Sequence, residues 1–291
     1  MTFIEVTAPA KVNLFLEVVS KRRDSYHNIR TLFERIALCD KIRITKISEG
    51  IEVISDKYIT SRPEDNIAYK AAVLLLRHKK IKQGVRINIT KRIPVAAGLA
   101  GGSSDAAAVL IGIDRLFGLK MRKKELMSLG TRLGADVAFF IYDTKMAIGR
   151  QRGDRLIAVK SKENLWHLLI NPGFPVSTRE VYESFDFALT RKSRDAKIHS
   201  PLEEPMDFGT AESMLHNDLE KIVISKKGII GRIKARLAAL LGKKAIVSGS
   251  GPSLFCLYKT RKEAMKAKAV LLRSVPVHER KGWKIFVVRT C

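Results

Sequence analysis

Hydrophobic and polar positions alternate near the start of the chain. Val12, Leu14, Leu16 and Val18 interleave with Lys11, Asn13, Phe15 and Glu17. A period of two predicts a half-buried strand. Residues 30–38 and 41–46 read as two further strands, and 85–91 alternates again. Residues 66–78 carry the helical period instead, with Ile67, Ala71, Leu74 and Leu75 on one face. Residues 104–117 are apolar on nearly every face, which predicts a buried helix. Residues 122–133 predict an amphipathic helix stopped by Gly134.

The pattern changes from about residue 156. A strand over 167–170 runs into the turn Asn171-Pro172-Gly173. Residues 191–205 are polar and contain proline, and predict an exposed loop. Helices follow at 229–241 and 262–272, and strands at 244–247, 254–258 and 283–288. Strands and helices alternate, with long strand runs first. The expected class is α+β, in two lobes at 1–155 and 156–291.

Composition narrows this picture. With 291 residues and 46% hydrophobic content, the chain can bury a sizeable core. No apolar run approaches the ~20 residues of a membrane-spanning helix, and no signal-peptide pattern opens the chain. Cys39, Cys256 and Cys291 are widely spaced, unlike a disulfide framework or a zinc site. A cytoplasmic protein is expected.

The charge is unusual: 54 Lys+Arg against 29 Asp+Glu, a net +25. It points to anionic partners, whether nucleic acid, an acidic membrane surface or phosphorylated metabolites, or else to a solvated basic surface. The cations are spread along the chain, aromatics reach only 7%, and no nucleic-acid motif occurs. A specific nucleic-acid partner is therefore not expected, nor a membrane.

The strongest local signal is the small-residue run from Pro94 to Ala106: Pro-Val-Ala-Ala-Gly-Leu-Ala-Gly-Gly-Ser-Ser-Asp-Ala. It joins a predicted strand to the predicted buried helix. Small residues let backbone approach a ligand, and a helix start offers free N–H groups and the positive end of its dipole. Ser103, Ser104 or Asp105 could cap that helix. The Gly-Lys-Ser/Thr ending of the usual nucleotide loop is missing, yet the run still reads as a phosphate site.

Lys11 and Asn13 share a strand face, ~6.6 Å apart along it. They could hold a reacting hydroxyl, or belong to a solvated face. Asp136 after Gly134-Ala135 reads either as the cap of a short helix or as a carboxylate facing the same site. Tyr26-His27 could stack on and bond a base, or be a strand-edge aromatic beside a solvated imidazole. Residues 248–253, Ser-Gly-Ser-Gly-Pro-Ser, form a second glycine-rich turn, in itself a weak signal. Asp207-Phe208-Gly209 spells a protein-kinase tripeptide, but that family's other signatures are absent.

In this order, the segments resemble the small-molecule kinases named for galactokinase, homoserine kinase, mevalonate kinase and phosphomevalonate kinase. The stretch from Pro9 to Leu16, Tyr26-His27, the Pro94 run and Leu133-Gly134-Ala135-Asp136-Val137 carry the likeness. Asn171-Pro172-Gly173 with Ser177-Thr178, Asn217-Asp218-Leu219-Glu220 and the 248–253 turn extend it over nearly the whole chain. The Lys-x-Asn strand with Tyr-His resembles one branch, whose substrate is a cytidine diphosphate derivative of methylerythritol on the non-mevalonate isoprenoid route.

The resemblance implies an N-terminal nucleotide-binding lobe, a C-terminal α/β substrate lobe and a site in the cleft between them. It implies phosphoryl transfer from ATP, with Mg²⁺, to the 2-hydroxyl of methylerythritol. Lys11 and Asp136 would be catalytic, with Asp136 the base. Pro94, Gly98, Leu99, Ala100, Gly101, Gly102, Ser103 and Ser104 would surround the phosphates, Ser104 would touch the metal, and Asn66 would sit near adenine. Asn13, Tyr26, His27, Thr178 and Tyr182 would line the substrate site.

Three departures stand out. Ser25 replaces a frequent glycine, which would strain the chain if that turn needs positive φ. Ala138 follows the Gly-Ala-Asp-Val run where proline is frequent, and should matter little. Ala96, Ala97 and Ala100 replace loop glycines, and their methyl groups are expected to cost little.

Overall fold

The computed structural model describes residues 2–185 and 204–291. The expected loop at 191–205 falls, except for its last two residues, outside the described residues. Two compact units are present. One comprises Met1–Ala10, Leu38–Val95 and Ala100–Thr144, and the other Lys11–Ala37, Ala96–Leu99 and Lys145–Cys291.

Two long strands, β1 (Phe3–Lys21) and β2 (His27–Ile47), lend residues to both units. In the first unit β3 (Ile51–Ser55) pairs in parallel with β4 (Gly84–Thr90). Strand β4 pairs antiparallel with residues 41–47 of β2. The two strands expected at 30–38 and 41–46 are thus one. The polar interruption at Asp40 does not break it, because Asp40 is buried and its carboxylate accepts from the amides of Arg92 (2.6 Å) and Ile93 (2.9 Å).

Four helices complete this unit: α1 (Ile67–His78), α2 (Gly101–Phe117), α3 (Lys123–Leu133) and α4 (Ala135–Tyr142). Helix α1 buries Ala71 and Leu75 of the expected face together with Ala68, Ala72 and Leu76, while Ile67 and Leu74 are only half-buried. Its small residues allow close approach to α2, which is buried along most of its length, as expected. Gly134 ends α3, also as expected.

In the second unit residues 29–34 of β2 pair with β5 (Met146–Gln151), which pairs with β6 (Arg155–Val159). A separate four-stranded sheet holds β7 (Trp166–Asn171), and β8 (His216–Asn217) pairs in parallel with β1 at Phe15 and Leu16. The four-stranded sheet is completed by β9 (Ala245–Val247), β10 (Leu254–Tyr258) and β11 (Lys284–Arg289), in the order β11-β7-β10-β9. The described helices are α5 (Thr178–Glu183), α6 (Phe208–Met214), α7 (Glu220–Lys226), α8 (Gly228–Leu241) and α9 (Arg261–Ser274). Leu168, Ile170, Leu254 and Cys256 pack with Leu237 of α8 and Leu271 of α9 in the core. Asp207 of the kinase-like tripeptide merely caps α6, its carboxylate accepting from the Thr210 amide at 2.8 Å.

Strand β1 is not half-buried. Lys11 to Leu16 are buried on both faces, so Lys11 and Asn13 do not face solvent. No helix among the described residues is long and apolar enough to cross a membrane.

Candidate active site

The small-residue run carries strain that the sequence reading did not assign to it. Ala96 and Ala100 take φ values of 50° and 53°, in the left-handed region. At Ala96 and Ala100 each side chain adds about 1–2 kcal/mol of backbone strain, part of which the stiffer unfolded chain returns. Gly98, at φ 73°, has no alternative. A Cβ on it would lie 2.1 Å from the Ser248 carbonyl oxygen. Ser25 also sits at φ 66°, the strain anticipated for that turn.

In the second unit, residues 96–99 are stitched to their surroundings through backbone. The Lys11 amide donates to the Leu99 carbonyl (3.1 Å), and the Ser253 amide to that of Ala97 (3.3 Å). The Ser248 hydroxyl donates to the Gly98 carbonyl at 3.0 Å. The 248–253 turn, weak as a sequence signal, therefore fixes the first half of the run. It is itself held by Asn217, whose Nδ2 donates to the carbonyls of Val247 and Gly249, both at 2.7 Å. The hydroxyls of Thr178 and Ser250 are 2.7 Å apart.

Lys11 and Asn13 come together as their shared face predicts. Lys11 Nζ donates to Asn13 Oδ1 at 2.7 Å and lies 5.2 Å from the Phe33 ring centroid. Asn13 Nδ2 donates to the Thr31 hydroxyl at 2.7 Å. A Cβ on Gly249 would be 3.2 Å from Asn13 Oδ1 and 3.6 Å from Lys11 Nζ, so the turn also closes over this pair. Thr31 was not singled out in the sequence; it is an ordinary strand threonine until the β1–β2 pairing is known.

His27 is buried, and not the solvated imidazole of the simpler reading. Its ring centroid lies 5.3 Å from that of Tyr182 and 6.3 Å from that of Phe185. Burial, aided by the charge of Lys21, lowers its pKa from 6.5, so the neutral ring prevails at pH 7. Tyr26 is exposed, with the Arg152 guanidinium 5.4 Å from its ring centroid.

In the first unit, Ala100 precedes α2 with no side-chain cap. The expected caps are not used as such: Ser103, Ser104 and Asp105 lie inside the first turns of α2. Ser104 is 1% exposed, and its hydroxyl finds no partner among the described residues. Asp105 is turned to Lys91, Nζ to Oδ2 at 2.8 Å, while its Oδ1 is buried without a partner. The same ammonium pairs with Asp40, and a Cβ on Gly101 would lie 3.3 Å from it. Burial raises the Asp105 pKa to about 7, against the pull of Lys91 and with the push of Asp40. Burial disfavours the Lys91 cation, but the two carboxylates outweigh it and its pKa is raised. None of these pairings was foreseen, because Asp40 read as a break between two strands and Lys91 as the polar end of another.

Asn66 caps α1, its Oδ1 accepting from the Ala68 amide at 2.9 Å, which leaves Nδ2 as its remaining side-chain donor. Ile67 gathers the helix starts. A Cβ on Gly102 would lie 3.4 Å from it, and one on Gly134 4.0 Å. The first turns of α1, α2 and α4 thus meet at one residue. Asp136 is the second residue of α4, half-buried, with Gly134 rather than Asp136 at the cap position. A cavity of about 580 Å³ over Tyr69, Val73 and Arg77 of α1 and Arg132 of α3 contains none of these site residues.

Among the described residues no three acidic, His or Cys side chains form a metal cage. Mg²⁺ takes most of its ligands from substrate phosphates and water in sites of this kind. The orphaned Ser104 hydroxyl at the start of α2 is suited to such an ion.

Comparison with known proteins gives a consistent picture. The family described as "GHMP kinases N terminal domain" matches residues 66–144. The chain is 41% identical to a 4-diphosphocytidyl-2-C-methyl-D-erythritol kinase of Pelobacter propionicus, over 100% of both chains. It is 39% identical to that of Geobacter metallireducens, over 99% of each. A crystal structure of 4-(cytidine 5'-diphospho)-2C-methyl-D-erythritol kinase superposes with a TM-score of 0.75 at 30% identity, covering 98% of each chain. Homoserine kinase from Cytophaga hutchinsonii shares the fold, with a TM-score of 0.74 at 21% identity, covering 100% of this chain and 96% of its own.

Proposed function

The chain belongs to the 4-diphosphocytidyl-2-C-methyl-D-erythritol kinase family, and on that premise we propose that it moves the γ-phosphoryl group of ATP to the 2-hydroxyl of 4-diphosphocytidyl-2-C-methyl-D-erythritol, a step of non-mevalonate isoprenoid synthesis. The observation that carries the reading is identity of 41% over the whole chain, at a length matching that of the relative.

Each residue has a task in this reaction. The N–H groups of residues 101–104, at the positive end of the α2 dipole, hold the phosphates. Asn66 donates Nδ2 to the adenine. Neutral His27, with Tyr26 and Tyr182, holds the cytosine, and Thr178 borders that site. Asp136 takes the proton of the attacking hydroxyl. The oxygen then forms its bond to the γ-phosphorus as the bond to the β–γ bridging oxygen breaks, leaving ADP. Lys11 stabilises the charge that grows on the attacking oxygen, and Asn13 orients the alcohol. When bound, Mg²⁺, held by Ser104 and the phosphates, supplies neutralising charge. Positioning and charge account for most of the catalysis in reactions of this kind. The +25 surface gathers the two polyanionic substrates and holds nucleic acid only loosely, in a salt-sensitive way.

The test is ADP production by the purified protein with Mg·ATP, offered the cytidylyl substrate and, in parallel, the same alcohol without its cytidine. Turnover of the first alone is expected. Turnover of neither, by folded protein that still binds ATP, would leave the kinase family standing and discard this substrate.

A further inference from the structure

We propose that Thr31 is a positioning residue: through Asn13 it sets where the Lys11 ammonium stands. The inference rests on the catalytic role proposed above for Lys11.

Thr31 lies on β2 and is wholly buried, at 0% exposure. Its hydroxyl has a single proton. The Phe15 carbonyl oxygen, 2.7 Å away, can only accept, so that proton is committed to it. What remains on the hydroxyl is acceptor capacity. Its other neighbour, the Asn13 side-chain amide at 2.7 Å, must therefore present its NH₂ group. This settles which way the amide points. Asn13 Oδ1 is turned to the opposite side, where Lys11 Nζ donates to it at 2.7 Å.

The reversed amide would fail at both ends. Its oxygen would face a hydroxyl with no proton left to give, and its NH₂ group would face an ammonium. Buried donors and acceptors left in that state are costly. The order is thus directional: Lys11 donates to Asn13, Asn13 to Thr31, and Thr31 to the β1 backbone. The Gly249 backbone closes over the arrangement, with space for a Cβ only 3.2 Å from Asn13 Oδ1. One buried hydroxyl therefore orients an amide, and the amide supplies an oxygen that fixes one direction of the Lys11 ammonium.

The test compares Thr31→Val, which keeps the shape and removes the hydroxyl, with Thr31→Ser, which restores it, and with Lys11→Met. Thr31→Val is expected to lower kcat about 10- to 100-fold, the scale of a small misplacement of a reacting group. The KM for ATP should stay within about twofold, and Thr31→Ser should recover most of kcat. A purely structural role would instead appear as lost folded protein, with kcat per folded molecule unchanged. Should Thr31→Val not fold, Thr31→Ala is read against the same expectations. If Lys11→Met abolishes turnover while folded Thr31→Val keeps a normal kcat, the positioning role is overturned and the catalytic reading survives. If Thr31→Ser stays as slow as Thr31→Val, the hydroxyl is not the agent and the proposal is again overturned. If Lys11→Met keeps turnover, the underlying reading of Lys11 falls first.

Discussion

Replacing Gly98 by alanine adds one methyl group at a place where backbone meets backbone. That methyl would stand 2.1 Å from the Ser248 carbonyl oxygen and 2.9 Å from both the nitrogen and the oxygen of Gly251. Real Cβ atoms do not approach so closely, so the loop and the turn must part. Parting puts at risk the Ser248 hydroxyl bond to the Gly98 carbonyl, at 3.0 Å. The Ser248 carbonyl cannot simply tilt away either, since it accepts from the Gly251 amide at 2.9 Å. Left-handed φ adds about 1–2 kcal/mol for a residue with a side chain. One or two weakened hydrogen bonds add about 1 kcal/mol each. The stiffer unfolded chain returns about 0.5–1 kcal/mol. The net loss is about 1–3 kcal/mol, which corresponds to a melting temperature lower by roughly 3–10 °C in a chain of this size. Gly102→Ala is the control, because its Cβ would meet only Ile67, at an ordinary 3.4 Å. Within a helix that change is worth about 0.5–1 kcal/mol in favour of folding. Differential scanning calorimetry on the two variants measures the contrast. Gly98→Ala melting level with Gly102→Ala would refute the claim that the run is locked against the 248–253 turn.

Other changes probe the remaining groups. Asp136→Ala should lower kcat by about 10²–10⁴ while calorimetric titration still shows ATP and the cytidylyl substrate binding; near-normal turnover would remove Asp136 from the mechanism. Lys91→Met strands Asp40 and Asp105 as buried acids, and should cost about 3–5 kcal/mol in denaturant titration; a loss below about 1 kcal/mol would show that the triad is not held by its cation. The His27 pKa is lowered on folding, so the unfolded chain binds its proton first as pH falls. Stability from this group is full above about pH 6.5 and declines below it toward the folded pKa, and a pH series of melting temperatures should show a smaller decline in His27→Phe.

How far the sequence could be read depended on where each residue finds its partners. Helix α3 and its Gly134 stop were legible because pattern and cap lie within a dozen residues. So was the Lys11–Asn13 pairing, since a strand sends alternate residues to one side. Strand β2 was not legible as one element: Cys39 and Asp40 look like a break between 30–38 and 41–46. Lys91 and the amides of residues 92 and 93, some fifty positions away, make that break a strand interior. A shorter separation, fourteen residues, misled the capping assignment, since Asp105 resembles a helix cap until Lys91 claims it. Burial of Lys11 was also hidden, because alternation reports that one face is apolar but not that the other is covered. Thr31 was hidden for the same reason, as both its partners lie on the neighbouring strand.

Residues 96–105 hold several departures from ordinary backbone and burial rules, while others lie elsewhere, at the left-handed φ of Ser25, Lys80, Lys120, Asp143 and Gln151. Two alanines sit at left-handed φ, a glycine admits no methyl, and a serine and an aspartate are buried with atoms unpartnered. Within these ten residues the strain and the unpartnered atoms adjoin one helix start, which argues for a backbone held ready for a ligand. The alanines sharpen the argument. Glycine would relieve about 1–2 kcal/mol at residues 96 and 100, but would restore freedom to the unfolded chain worth about 0.4–1 kcal/mol. The net cost of each alanine is therefore small, while its methyl group closes off conformations that glycine would keep open. A run built this way loses little stability and presents its N–H groups in fewer arrangements, which lowers the ordering cost when a phosphate binds.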